Sequence, residues 1–176
     1  MKHLRYLMAA SLCLVLALGS VAQADTKVEL KNVHLCCFAC VGAAKQILKK
    51  VEGVKAEVEQ EEGKISITAP DRETAQKALD ALAAGGFHGD TGDKDLAIKD
   101  DSGAKAGKVE KVKVVGIHNC CATCTKDIKS VLKKVEGVKK ETVTLRKTSF
   151  EVMGDIDASK VIKALNDAGY HARIEK

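Results

Sequence analysis

One seven-residue pattern, present twice, constrains this chain more than any other feature. It reads His34-Leu35-Cys36-Cys37-Phe38-Ala39-Cys40 and again His118-Asn119-Cys120-Cys121-Ala122-Thr123-Cys124, with His and the three Cys in identical register. Six of the seven cysteines lie in these two heptads, so the chain is organised around them. The likeness extends well beyond the heptad. Lys27 to Val54 aligns without a gap on Lys111 to Val138, most closely at Leu48-Lys49-Lys50-Val51-Glu52-Gly53-Val54 and Leu132-Lys133-Lys134-Val135-Glu136-Gly137-Val138. The copies rejoin at Gly86-Phe87-His88 and Gly169-Tyr170-His171. A repeat this long is a duplicated domain rather than one turn of a solenoid.

The hydrophobic period gives the elements of each copy. Val28, Leu30 and Val33, and in copy two Val112, Val114, Val115 and Ile117, read as a strand entering the cysteine loop. Past the second cysteine of CxxC the period turns helical. Ala43, Ala44, Ile47, Leu48 and Val51 share one face, as do Ile128, Val131, Leu132 and Val135. Gly53 and Gly137 are expected as the residues that stop these helices. A hairpin follows, over Val54–Gln60 and Ile65–Ala69 with a turn at Glu61-Glu62-Gly63. In copy two it covers Glu141–Leu145, a turn near Arg146-Lys147, and Phe150–Val152. A second helix begins after Pro70 with Asp71 as its cap and points Ala75, Ala78, Leu79 and Leu82 inward. Its counterpart uses Val161, Ile162, Leu165 and Ala168. Tyr170 to Ile174 reads as a last strand, weak or missing in copy one.

The order β-α-β-β-α-β, given twice, predicts an α+β fold of two tandem ferredoxin-like domains, each an antiparallel sheet with two helices on one face. The expected boundaries are 25–90 and 109–176. Residues 91–108, rich in Gly, Asp and Lys, read as a flexible linker, with Leu96-Ala97-Ile98 as a candidate edge strand.

Aromatics make up 3% of the 176 residues and Trp is absent, so each core is aliphatic and small. A core of that kind leaves no room for a deep substrate pocket, and an enzyme is not expected. Met1 to Ala24 has a positive start (Lys2, Arg5), an apolar run from Leu7 to Leu18 and Ala22-Gln23-Ala24 as a cleavage site, the pattern of a secretory signal. The chain is therefore expected to be periplasmic or secreted, without membrane insertion once the signal is removed. Of 29 basic residues, Lys2 and Arg5 leave with that segment; 27 remain against 24 acidic ones. These charges are interspersed, and no aromatic stacking set accompanies them, so nucleic acid is not an expected partner.

Exported cysteines usually form disulfides. These are clustered in two loops, and local bridges there would constrain the unfolded chain little. Metal or redox chemistry fits better. The CxxC spacing puts both sulfurs on one side of a helix start, where backbone N–H groups and the helix dipole favour thiolate. All ligands come from one short loop, which suits exchange of the ion better than a closed structural site does.

On these residues both copies resemble the heavy-metal-associated domain family, which includes metallochaperones, amino-terminal modules of metal-transporting P-type ATPases and periplasmic mercury-binding proteins. The family's pattern is Gly-Met-Thr-Cys-x-x-Cys at the first strand-to-helix junction. The resemblance implies Cys37 and Cys40, and Cys121 and Cys124, as metal ligands, with Phe87 and Tyr170 packing nearby. The chain departs from the pattern elsewhere. Leu35 and Asn119 stand at the Met position, Cys36 and Cys120 at the Thr position, His34 and His118 at the Gly position. Each site thus gains a candidate third thiolate and an imidazole. Two thiolates suit Cu(I) or Hg(II); three with a His suit Zn(II), Cd(II) or trigonal Cu(I). One soft or borderline ion per domain is expected, Cu(I) or Zn(II) first. In an extended segment Cys36 points away from Cys37, so Cys36 either joins after a sharp turn or faces a partner and helps form a shared, intermolecular site. His88 and His171, each following an aromatic, are expected to face solvent.

The functional expectation is an exported soft-metal carrier that sequesters or transfers its ion. Its partners would be metal-donor or metal-acceptor proteins, such as a membrane metal transporter, and its state a monomer or a metal-bridged dimer. A thiol–disulfide oxidoreductase using the CxxC pairs is the alternative, together with an envelope protein stabilised by structural zinc. Against the oxidoreductase, the one proline, Pro70, begins a helix instead of flanking the cysteines.

Overall fold

The computed structural model describes residues 24–175. The expected signal segment, Met1 to Ala24, lies almost entirely outside them. The order of elements is β1 (Thr26–Leu30), α1 (Phe38–Leu48), β2 (Lys55–Glu59), β3 (Lys64–Ala69), α2 (Arg72–Ala84), β4 (Lys108–Val115), α3 (Ala122–Lys133), β5 (Val138–Glu141), β6 (Ser149–Asp157), α4 (Ala158–Asp167) and β7 (Arg173–Ile174). They form two antiparallel sheets, ordered β1-β3-β2 and β5-β6-β4-β7, and each sheet is accompanied by two helices.

Alternation explains the first sheet. Ile65, Ile67 and Ala69 of β3 are buried, and the residues between them are half-exposed. Ile65 pairs with Leu30 and Ile67 with Val28, so one face of the sheet is apolar. Ala44 and Leu48 of α1, and Ala75, Ala78, Leu79 and Leu82 of α2, cover that face. Asp71 caps α2, accepting from the Thr74 backbone N–H at 2.6 Å. The second core joins Val114, Phe150, Val152 and Ile156 to Ile128, Leu132, Val161, Ile162 and Leu165.

Several details differ from the sequence reading. The helices do not run to Gly53 and Gly137. They stop at Leu48 and Lys133, and tighter i→i+3 bonds follow, such as Val51 N–H to Leu48 O and Val135 N–H to Leu132 O. The glycines, at φ +77° and +84°, sit in the turns toward the next strands. β5 lies at Val138–Glu141, before the expected Glu141–Leu145, because the carbonyls of Thr144 and Lys147 are taken by the Asn119 side chain. Arg146, at φ +62°, makes the expected turn there.

Among the described residues the first half has no fourth strand; Asp90 only bridges Lys31. Leu96-Ala97-Ile98 is no strand either. The segment expected as a flexible linker packs against both halves. Leu96 is buried in the first core, the Ala97 carbonyl accepts from Gln76, and the Ser102 carbonyl accepts from Ile174 N–H.

The halves meet along one seam. Phe87 and Tyr170 form an antiparallel bridge. His88 N–H donates to Gly169 O and His171 N–H to Gly86 O, both at 3.0 Å. Gly86 and Gly169 have φ of +84° and +83°. A Cβ on Gly86 would strike the His118 backbone nitrogen, and one on Gly169 the His34 backbone nitrogen. Each half thus presses its last loop onto the backbone leading into the other half's cysteine loop, and only glycine permits that approach. His171 does not face solvent, and His88 is half-buried against it. His171 is 2% exposed, and its Nδ1 lies 3.4 Å from His88 Nδ1.

Candidate metal centre

The two cysteine loops are built alike. Cys37 and Cys121 are the N-caps of α1 and α3 with extended backbones, and Cys40 and Cys124 sit in the first turns, fully buried. The loops differ at the second residue of the heptad. Leu35 is buried in the first core. Asn119 is also buried and ties its loop to Thr144 O at 2.9 Å and Lys147 O at 3.1 Å, while its own oxygen accepts from Thr125.

The seam brings the loops face to face, so the thiols form one cluster. Within a loop, Cys37 Sγ lies 3.7 Å from Cys40 Sγ and Cys121 Sγ 3.6 Å from Cys124 Sγ. Contacts between loops are as close: Cys36–Cys124 and Cys40–Cys120 at 3.4 Å, Cys36–Cys121 at 3.6 Å, Cys37–Cys121 and Cys40–Cys124 at 3.8 Å, Cys37–Cys120 at 3.9 Å. None of the six is in a disulfide. Cys36 and Cys120 therefore do join the site, each by facing the opposite loop.

Both histidines flank the cluster. The His34 ring stacks on Tyr170 at 4.2 Å and the His118 ring on Phe87 at 4.4 Å. The Nε2 atoms of both are buried and have no hydrogen-bond partner among the described residues. Buried polar atoms without partners are rare and call for an explanation. A ring nitrogen of His34 lies within 4.8 Å of Cys36 and Cys124 Sγ, which supplies one.

Sequence reasoning missed the support of His34. Its Nδ1 lies 3.3 Å from Asp127 Oδ2, and the Tyr170 hydroxyl donates to the same carboxylate at 3.2 Å. A carboxylate behind a ligand imidazole fixes its ring and tautomer. Copy one has Ala43 and Phe87 where copy two has Asp127 and Tyr170. This paired difference between the copies was the available signal.

The electrostatics follow from crowding. Backbone N–H groups at the start of α1, that of Cys40 foremost, lower the Cys37 thiol to about 7. Cys124 is held far below the usual thiol range, first by the Cys40 thiol and then by His34 and Cys36. Cys40 is pushed up by Cys124, and burial raises Cys36 and, to about 12, Cys120. The metal-free cluster concentrates negative charge on few sulfurs, and the rest give up protons only to a cation that replaces them. Phe87 and Tyr170 are fully buried walls of the site and supply no ligand.

This donor set on an α/β frame defines a heavy-metal-binding class of protein. Residues 111–171 match the heavy-metal-associated domain family, so the chain carries one such domain there. It is similar to a copper-exporting P-type ATPase of Staphylococcus aureus (strain MRSA252), 26% identical over 153 residues; the match takes in 85% of this chain but spans only 17% of the relative's length. Among solved structures, oxidized MerP from Ralstonia metallidurans CH34 is 28% identical over 38% of this chain and 97% of its own, with a TM-score of 0.36. The N-terminal soluble domains of Bacillus subtilis CopA match 87% of this chain and 95% of their own at 17% identity and a TM-score of 0.31.

Proposed function

We propose that the chain is an exported carrier that takes up a soft metal ion, Cu(I) or Zn(II) before Hg(II) or Cd(II), holds it in the shared thiol cluster and passes it to another metal-binding protein. The observation that carries this reading is the convergence of six thiols on one spot, with a ring nitrogen of His34 within 4.8 Å of two of them. Soft donors in that number select soft ions. We read residues 25–90 as a second heavy-metal-associated domain. The gapless repeat and the equivalent N-cap positions of Cys37 and Cys121 support it. The signal-like segment Met1–Ala24 supports export to the periplasm or the exterior. The chain acts by binding and exchange rather than catalysis. Similarity to a copper-exporting ATPase supports a membrane metal transporter as the class of donor or acceptor. One ion per half is not carried forward, because each CxxC pair shares its sulfur contacts with the opposite loop.

The test is metal content and competition with chelators, on anaerobically reduced protein, for Cu(I) and Zn(II). Tight binding that weakens as pH falls is expected, since protons compete for thiolate. Turnover of insulin disulfides by a protein that ignores both metals would instead establish the oxidoreductase.

A further inference from the structure

We propose that the six thiols hold a single tetranuclear Cu(I)–thiolate cluster bridging the two halves, rather than two mononuclear CxxC sites. This rests on the metal-carrier reading and gives that reading its cargo and its count.

The sulfur positions carry the inference. Twelve of the fifteen sulfur pairs are close; the three not among them, Cys36–Cys120, Cys37–Cys124 and Cys40–Cys121, share no member. Cys36–Cys37 and Cys120–Cys121 fall within 4.8 Å, and all remaining pairs lie at 3.4–3.9 Å. Six points joined by twelve close pairs that leave out three disjoint pairs have the connectivity of an octahedron.

Alternate faces of that octahedron are closed triads. They are Cys36–Cys37–Cys121, Cys37–Cys40–Cys120, Cys120–Cys121–Cys124 and Cys36–Cys40–Cys124. Every cysteine belongs to two of these faces, so each sulfur bridges two metals and each metal has three sulfurs. A metal centred in the last triad, with edges of 3.7, 3.4 and 3.8 Å, sits about 2.1 Å from each sulfur, within the tolerance of a metal–thiolate bond. A His34 ring nitrogen lies within 4.8 Å of two sulfurs of this face, Cys36 and Cys124.

Coordination number selects the ion. A face offers three sulfurs, which suits trigonal Cu(I), whereas Zn(II) asks for four ligands. Three of the four faces draw on both loops in a 2:1 split; Cys120–Cys121–Cys124 comes from the second loop alone and shares each of its corners with a mixed face. The cluster therefore exists only when the halves are closed. Loading is ligand exchange with no change of oxidation state. Copper enters as Cu(I) from a Cu(I) donor, each thiol still protonated gives its proton to solvent, and six thiolates with four Cu(I) leave a net charge of about −2.

The experiment titrates the reduced full chain with Cu(I) held in acetonitrile, reading stoichiometry by a Cu(I) chelator, metal–metal distances by X-ray absorption and mass by sedimentation. Expected are about four Cu(I) per monomer, bound cooperatively, with clear short-range copper–copper backscatter. Cys36→Ser and Cys120→Ser each remove one corner and two faces, so each should drop to about two Cu(I) per chain. Circular dichroism of the metal-free variants establishes that they fold. About two Cu(I) per monomer without copper–copper backscatter, unchanged by Cys36→Ser, would overturn the cluster and leave the carrier standing. A cluster found only in a dimer would overturn the intramolecular bridge. Folded, reduced protein that takes up no Cu(I) or Zn(II) would remove the carrier reading itself.

Discussion

Asp127 shows how one side chain breaks the symmetry of a duplicated site. It holds His34 Nδ1 and the Tyr170 hydroxyl together, while His118 stacks on the Phe87 ring and its Nε2 has no partner among the described residues. Loss of such an outer carboxylate usually costs 10–100-fold in metal affinity. Asp127→Ala should therefore weaken Cu(I) affinity by about tenfold, measured by chelator competition. A variant that binds as tightly as the parent would mean that His34 is no ligand. The thiols are equally unequal. Cys37, lowered to about 7 by the helix N–H groups and only half-buried, is substantially thiolate above that pH. Cys36 and Cys120 are raised by burial and stay protonated. In reduced, metal-free protein at about pH 7.5, iodoacetamide should modify Cys37 well before Cys36 or Cys120, as read by peptide mass spectrometry.

The element that makes one site from two loops is the seam of Gly86–His88 and Gly169–His171. Gly169→Ala combines a φ of +83° with a Cβ driven onto the backbone of Asn32 and His34. Gly92→Ala meets the same kind of strain, φ +70°, in open space. The first should lower the thermal midpoint by several degrees more than the second, because only it wedges the halves apart. Equal losses would confine the effect to local backbone strain. The contrast also marks what was legible in the sequence. The helices, the CxxC positions at their starts and the β3 alternation follow from local period, which the chain displays residue by residue. The seam does not, because Gly-aromatic-His reads locally as a strand end. Only tertiary packing turns His171 inward and sets Phe87 against Tyr170. The 91–108 segment misleads for the same reason: its composition is that of a linker, yet Leu96 finds a place in the first core. Cys36 had an ambiguous direction in the sequence; the opposing loop resolves it.

At the scale of the whole molecule, stability and metal capacity are linked through closure of the halves. Each half has its own apolar core, so metal-free protein should remain folded and gain stability by mass action on binding. The seam makes that closure sensitive to acid. Burial, and then the neighbouring His171, lower His88 from the ordinary 6.5 to about 4; Asp167, Asp100 and Asp90 oppose the shift. Above about pH 6.5 His88 is neutral whether the chain is folded or not, and its contribution is intact. Between about 6.5 and 4 the unfolded chain binds the proton and the folded chain does not, so stability falls as pH falls. Below about 4 both forms are charged and the loss is complete, at most on the order of 3 kcal/mol for a shift of this size. Thermal melts of metal-free protein from pH 7.5 to 4 should therefore show a falling midpoint that begins near pH 6.5. His88→Gln should flatten that slope, leaving the steeper loss that carboxylates such as Asp71 and Asp157, both held low by backbone N–H or hydroxyl donors, add at lower pH. A His88→Gln profile parallel to the parent's would move the acid sensitivity away from the seam. Because the thiol octahedron needs both loops, acid that loosens the seam should release metal over the same interval in which protons reclaim the thiolates.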